Sequence, residues 1–314
     1  MSTPSSSEER AKRNLVSMQH IYKTFNPDTV SEVTVFRDFN LDIPRGQFVT
    51  VVGSNGSGKT TTMRILLGVL AADSGRILVD GDPITAHHRS AIGYMPEERG
   101  LYPKMPIIDQ LVYLARFHGL TRQAAMKRGL DLLEQLELKG EPTDTLESVS
   151  LGNQQKVQIA AALIHDPQAL VLDEPFSGLD PVAVERTLGV LSDFASSGAP
   201  VLFSSHQLDL VERLVDDLVI INDGRLVAAG TTTELRRQRS LPEWTLQTDA
   251  DLGWVRGLPD ISVIELDGNW VRFTAPNADA AEAVLRKALT VSSVSSFAPH
   301  DVALNRLFQE VTQA

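Results

Sequence analysis

Gln47-Phe48-Val49-Thr50-Val51-Val52-Gly53-Ser54-Asn55-Gly56-Ser57-Gly58-Lys59-Thr60 is the stretch whose reading decides the fold. Gln47 to Val52 is a short apolar, β-branched run that predicts a buried strand. From Lys59 to Leu70 the spacing of Met63, Leu66, Leu67 and Leu70 predicts a helix. Between them Gly53-x4-Gly58-Lys59-Thr60 matches the P-loop pattern in the strand–loop–helix context that pattern requires. Glycines let backbone N–H groups converge on phosphate without Cβ clashes, and the helix start adds its positive end. Lys59 can reach the β and γ phosphates, and the Thr60 hydroxyl can ligate Mg²⁺. Gly53, Ser54, Asn55, Gly56, Ser57, Gly58, Lys59, Thr60 and Thr61 are therefore the candidate phosphate cradle. An ordinary glycine-rich turn is the plainer alternative, and the Lys-Thr pair directly after Gly58 speaks against it.

Outward from the loop, Leu170-Val171-Leu172-Asp173-Glu174-Pro175 places two carboxylates at the end of a second buried run. In an open parallel α/β sheet the ligand crevice lies at that end of the strands. Asp173 is expected to hold Mg²⁺ and Glu174 to orient or deprotonate an attacking water. An Asp-Glu-Pro turn that merely starts the next helix is the alternative.

The rest of the chain agrees with an α/β domain. Val16 to Phe25 and Val33 to Ile43 alternate as half-exposed antiparallel strands. Two amphipathic helices are expected between Ile107 and Leu138, broken at Gly119-Leu120-Thr121, within a helical insertion spanning about 98–165. Strand and helix then alternate through Ala169–Leu172, Pro181–Ala195, Pro200–Ser204, Gln207–Val215 and Leu218–Ile221. Past the basic stretch Arg236 to Pro242 the pattern changes. Trp244–Thr248, Leu252–Leu258, Ile261–Glu265, Trp270–Thr274, Ala278–Leu289 and Val291–Phe297 read as strand, helix, strand, strand, helix, strand, the order of a small ferredoxin-like α+β domain. A last helix is expected from Val302. The domains are thus residues 15–238 and 243–314, after a disordered tail over 1–14.

Lys and Arg number 29 against 40 for Asp and Glu, a net charge of −11, which repels a phosphate backbone and makes nucleic acid a poor partner. There is no cysteine, so disulfides and thiolate metal sites are excluded. No apolar run is long enough to span a bilayer, and the N-terminus lacks the apolar core of a signal peptide. His87 and His88 have no further ligand at metal spacing. The three tryptophans, Trp244, Trp254 and Trp270, fall in the small domain, where they fit its core.

With these motifs in order, the stretch from about Ser17 to Leu235 resembles the ATP-binding subunit of an ATP-binding-cassette (ABC) transporter. Val149-Ser150-Leu151-Gly152-Asn153-Gln154-Gln155-Lys156 resembles the family's signature motif, with Val149, Leu151 and Asn153 departing from it. The resemblance implies that Ser150 and Gly152, at a helix start, touch the γ-phosphate of ATP bound by a second copy. Ser150 is equally a good N-cap for the apolar run Val157 to Ile164, and both readings can hold. Ser177-Gly178-Leu179-Asp180 resembles the D-loop, and His206 stands at the place of the switch histidine. Ile92 to Glu98 occupies the place of the Q-loop, with Glu97 where glutamine is usual. An acid there can ligate Mg²⁺ but adds charge near the γ-phosphate, raising the demand for metal. Glu97 to Tyr102 also resembles the branch with sodium- and drug-extruding exporters. For the adenine ring the resemblance favours Phe25, with Tyr22 as the other candidate and a core role open to either.

What the resemblance implies is an ATPase using ATP and Mg²⁺, with Glu174, His206 and Lys59 catalytic and Thr60, Asp173 and Glu97 at the metal. It implies a dimer, homodimeric or heterodimeric, that drives a separate transmembrane permease, contacted near Glu98 to Phe117 from the cytoplasmic face of the membrane. An ABC-type ATPase uncoupled from transport and a non-hydrolysing nucleotide-binding regulator are the rivals.

Overall fold

The computed structural model describes residues 14–98, 100–206, 217–231, 234–235 and 242–300. The expected helices at Gln207–Val215 and from Val302, the basic stretch before Pro242 and the tail up to Arg13 lie outside them. The chain divides into two compact units between Ala229 and Gly230.

In the first unit β1 (Asn14–Phe25) and β2 (Val33–Pro44) pair antiparallel, so Asn14, assigned above to the tail, opens a strand. β4 (Ser74–Val79) pairs with the other edge of β1, and the two-residue β5 (Asp82–Pro83) completes the order β2-β1-β4-β5. The second sheet runs β10-β9-β3-β8-β7-β6. Its interior strand β3 (Phe48–Val52) lies parallel to β8 (Val201–Ser205) on one side and β9 (Asp217–Asn222) on the other. β7 (Ala169–Leu172) and β6 (Ile92–Met95) extend the parallel sheet, and β10 (Arg225–Thr231) flanks β9. All residues of β3, β7 and β8 are buried, which is why they read as largely apolar runs and not as alternation.

Helix α1 (Lys59–Leu66) lays Met63, Ile65 and Leu66 on a core shared with Val49, Val51, Phe36 and Phe39. It stops short of the expected Leu70 because Gly68 turns left-handed, with φ 71°, and its N–H bonds back to the Ile65 carbonyl. A short α2 (Ala86–Ser90) precedes β6. His88 belongs to its capping box with Thr85, and among the described residues no three or more histidine, cysteine, aspartate or glutamate side chains gather as a metal site. The insertion holds α3 (Ile107–Phe117), α4 (Arg122–Gln135) and α5 (Leu151–Leu163). Thr121 caps α4 through the Ala124 N–H, and Leu111, Ala115, Ala125, Leu132 and Ile159 are buried. α6 (Pro181–Ser196) starts at Asp180, whose carboxylate accepts from the Ala183 N–H at 2.8 Å.

The second unit is an antiparallel sheet of β11 (Glu243–Thr248), β12 (Ser262–Asp267), β13 (Trp270–Thr274) and β14 (Val294–His300), in the order β12-β13-β11-β14. α7 (Ala278–Val291) packs Ala281, Val284 and Ala288 against Leu246, Val271 and Phe273. This is the ferredoxin-like order, with one change: the expected helix at Leu252–Leu258 is a single 3₁₀ turn, Gly253–Gly257, bounded by glycines. Trp244 and Trp254 pack on this core, Trp244 stacked on Phe297, and Trp270 is half-buried on β13. Among the described residues no helix is long and apolar enough to cross a membrane.

Candidate nucleotide site

The loop after β3 turns into α1 at Gly58, whose φ of 111° and 2.8 Å clearance between an ideal Cβ and Phe36 Cε1 admit only glycine. No side chain caps α1, so the N–H groups of its first turn remain available to an anion. The Lys59 ammonium, with the residue 8 % exposed, donates to the carbonyls of Gly53 at 2.8 Å and Ser54 at 3.2 Å, bridging the loop. Ser57 Oγ is buried without a protein partner.

Above the loop lies a cavity of about 530 Å³ lined by Val35, Asn55, Gly56, Gly58, Lys59, Thr60, Thr61, Glu97, Asp173, Glu174 and His206. The parallel sheet explains the gathering. β3 ends in the loop, neighbouring β8 delivers His206 just past its end, β7 delivers Asp173 and Glu174, and β6 delivers Glu97.

Asp173 is 1 % exposed. Its Oδ1 accepts a 2.5 Å hydrogen bond from Ser204 Oγ, while Oδ2 is buried with no partner. A buried carboxylate oxygen left bare is costly, and a hard cation is the partner that suits it. Thr60 and Glu97 line the same cavity, so the oxygen donors present fit Mg²⁺. Burial, and next the negative charge of Asp173, push the Tyr94 hydroxyl above its ordinary pKa, while Arg64 opposes both.

Glu174 has a left-handed backbone, φ 53°, a conformation that costs a non-glycine residue roughly 1–3 kcal/mol. Its N–H donates to Ser204 Oγ at 2.9 Å, and its carbonyl accepts from Gln155 Nε2 at 3.0 Å. Glu174 Oε2 lies 2.9 Å from His206 Nδ1, the carboxylate mostly buried and the imidazole mostly exposed. A carboxylate so held, facing a lysine-lined phosphate loop, can accept a proton from water or orient it.

Of the expected contacts, Gly53, Ser54 and Ser57 of the loop do not line this cavity, and neither do Phe25, Tyr22, Ser150 and Gly152. Phe25 is half-exposed at the end of β1, paired with Val33, and the Lys23 ammonium sits 5.5 Å from its ring centroid. Tyr22 is exposed. Ser150 is exposed at the start of α5, where its Oγ accepts from the Asn153 N–H at 3.4 Å. Gly152 sits beside the Gly178 carbonyl, 3.2 Å from where a Cβ would stand. Neither Ser204 nor Gln155 has a role legible in the sequence, and the structure adds both to the site. The signal for Ser204 was a hydroxyl interrupting the apolar run of β8, and for Gln155 a polar residue on the buried side of α5.

The family described as "ABC transporter" matches residues 36–177, and the family described as "ATP-binding protein DrrA1-3-like, C-terminal domain" matches residues 230–312. The chain is 36 % identical over 296 residues to the uncharacterized ABC transporter ATP-binding protein YhaQ of Bacillus subtilis, covering 94 % of this chain and 98 % of that one. It is 34 % identical to the linearmycin resistance ATP-binding protein LnrL of the same organism, over 64 % of this chain and 66 % of that one. Among solved structures it shares the fold of the ATP-binding cassette MJ0796, described as dimeric in a post-hydrolysis state bound to ADP and Pi. There the TM-score is 0.63 at 22 % identity, over 69 % of this chain and 98 % of that one.

Proposed function

The chain belongs to the family of ABC transporter ATP-binding proteins, and on that premise we propose that two copies close around two ATP molecules and drive a separate transmembrane permease. ATP binding and ATP hydrolysis follow from the family itself. The carrying observation for the catalytic assignment is the strained Glu174, held against His206 in a cavity that Lys59 and Asp173 share.

In this reading Lys59 and the N–H groups opening α1 bind the phosphates. Glu174 orients and deprotonates the attacking water, and His206 contacts the γ-phosphate while steadying the Glu174 carboxylate. Thr60, Asp173 and Glu97 would hold Mg²⁺, which when bound supplies charge neutralisation for the phosphates. Catalysis is then positioning plus electrostatic stabilisation. Phe25 stacks on the adenine.

Ser150 and Gly152 lie on an exposed helix start outside their own chain's cavity, which suits a role on ATP held by a second copy. The dimeric state described for MJ0796 suits the same reading. For the permease contact, Tyr102, Tyr113 and Phe117 stand exposed on the insertion. An exposed aromatic cluster of this kind marks a protein-binding surface. Export is the direction that the resistance role named for LnrL suggests, with the chain on the cytoplasmic face of the membrane through its permease.

The test is Glu174→Gln. It is expected to keep ATP affinity, to lower kcat on the order of 10²–10⁴-fold, and to trap an ATP-bound dimer visible by size-exclusion chromatography. Turnover at the wild-type rate would remove Glu174 from the chemistry. Co-purification with an integral membrane protein from its own cells tests the permease.

A further inference from the structure

α5 carries Ser150 and Gly152 at its start and, just over a turn further on, Gln155, which is 6 % exposed. The Gln155 side-chain amide donates to two successive backbone carbonyls, Glu174 O and Pro175 O, both at 3.0 Å. The Glu174 peptide is therefore gripped from two elements. Ser204 on β8 takes its N–H, and Gln155 on α5 takes its carbonyl. Between these grips the residue keeps its left-handed φ, and only then does its carboxylate meet His206. Relaxation to an ordinary φ would swing the side chain out of line with the phosphate loop, because a rotation about N–Cα reorients Cβ relative to β7. Pro175 adds no N–H of its own to oppose that rotation.

We propose that Gln155 is a positioning residue for hydrolysis, which makes the aim of Glu174 depend on where α5 sits. The inference rests on the reading above, in which Glu174 acts on water and the start of α5 meets ATP bound by the second copy. Its consequence is coupling. Seating α5 on the second nucleotide and aiming Glu174 at the first become one event, joined through the Gln155 amide, so ATP hydrolysis by the dimer is cooperative.

The experiment compares full-length wild type, Glu174→Gln, Gln155→Met and Gln155→Lys. Methionine keeps the length and loses the donor, whereas lysine restores a donor on an unbranched stem. Gln155→Met is expected to lower kcat roughly 10- to 100-fold, the cost of a misplaced group, with the Kd for ATP unchanged and the Hill coefficient for ATP falling toward one. Gln155→Lys is expected to recover most of kcat. In the Glu174→Gln background, Gln155→Met is expected to leave the residual rate as it is, which a general structural lesion would not do. Wild-type kcat in Gln155→Met, or a Gln155→Lys variant as slow as Gln155→Met, overturns the proposal. If Glu174→Gln itself turns over normally, the catalytic reading fails instead, whatever Gln155 does. Should Gln155→Met not bind ATP, Gln155→Leu takes its place, since it removes the donor without adding a charge.

Discussion

Two helix starts in the first unit are built in opposite ways. α1 begins at Gly58, without a side-chain cap, in the wall of a cavity that its own chain encloses. α5 begins at Ser150, exposed, with its own hydroxyl already serving the Asn153 N–H. Both present the positive end of a helix dipole. The first leaves its donors for a ligand, so a phosphate completes it. The second has one of its donors taken by its own cap, outside the cavity of its own chain, and gains from a phosphate only when one is brought to it. On the proposed function, one chain thus carries a permanent phosphate seat and a conditional one, and the composite site of two copies would follow from that asymmetry.

The largest effect should come from breaking the permanent seat. Lys59→Ala is expected to lower kcat/KM by about 10³-fold and to weaken ATP binding, measured by phosphate release and nucleotide titration. Unchanged affinity would make α1 as conditional as α5. Next, Gly152→Asp places a carboxylate at the conditional seat. It is expected to lower kcat about 10²-fold while leaving the ATP affinity of the single chain intact. Mixing the Lys59→Ala and Gly152→Asp chains should then restore activity, since one site of the mixed dimer pairs an intact Lys59 with an intact Gly152. No recovery on mixing would place Gly152 outside a shared site.

A smaller effect concerns the far end of α5, where His165 stacks on His118 with ring centroids 3.8 Å apart. Burial first, then His118 and Arg128, lower the His165 pKa from 6.5 to about 4. Because the folded state resists protonation there, the unfolded chain binds the extra proton between those two values. Stability is therefore full above pH 6.5 and declines as pH falls toward 4. The decline attributable to His165 is roughly 1–2 kcal/mol, the linkage value reduced by solvent screening of a partly exposed ring. Urea denaturation of wild type and His165→Gln across that window should show the difference narrowing in the variant. The smallest effect is Ser150→Ala, which removes a long cap hydrogen bond and should cost about 0.5–1 kcal/mol in the same assay. A larger loss would mean that α5 depends on its cap more than the 3.4 Å contact implies.

The same contrast explains what could be read from the residues alone. The loop at α1 is contiguous in the chain, and its glycines, Lys59 and Thr60 carry their chemistry locally, so strand, loop and helix were all legible. The ferredoxin-like order of the second unit was legible through alternation, except where Gly253 and Gly257 cut a helix down to one 3₁₀ turn. β6 is not announced by its residues, because Ile92-Gly93-Tyr94-Met95 is too short and too interrupted to declare a strand without its partner β7. Ser204 and Gln155 escaped for a different reason. Each acts on the Glu174 backbone across the fold, at sequence separations of 30 and 19, Ser204 accepting from its N–H and Gln155 donating to its carbonyl, and contacts to backbone groups so far off in the chain form no local motif.

The position of β3 has a further consequence, for synthesis. Both strands that flank it, Val201–Ser205 and Asp217–Asn222, are translated long after it. Until they leave the ribosome, the run Phe48–Val52 has neither ladder to join, and the loop that follows it has no scaffold. Nascent chains arrested before Asp217 has emerged are therefore expected not to retain ATP, and those extended past Asn222 to acquire it together with protease resistance. The phosphate loop is among the first motifs to be translated and among the last to be built, so through most of its own synthesis this ATPase is expected to be blind to nucleotide.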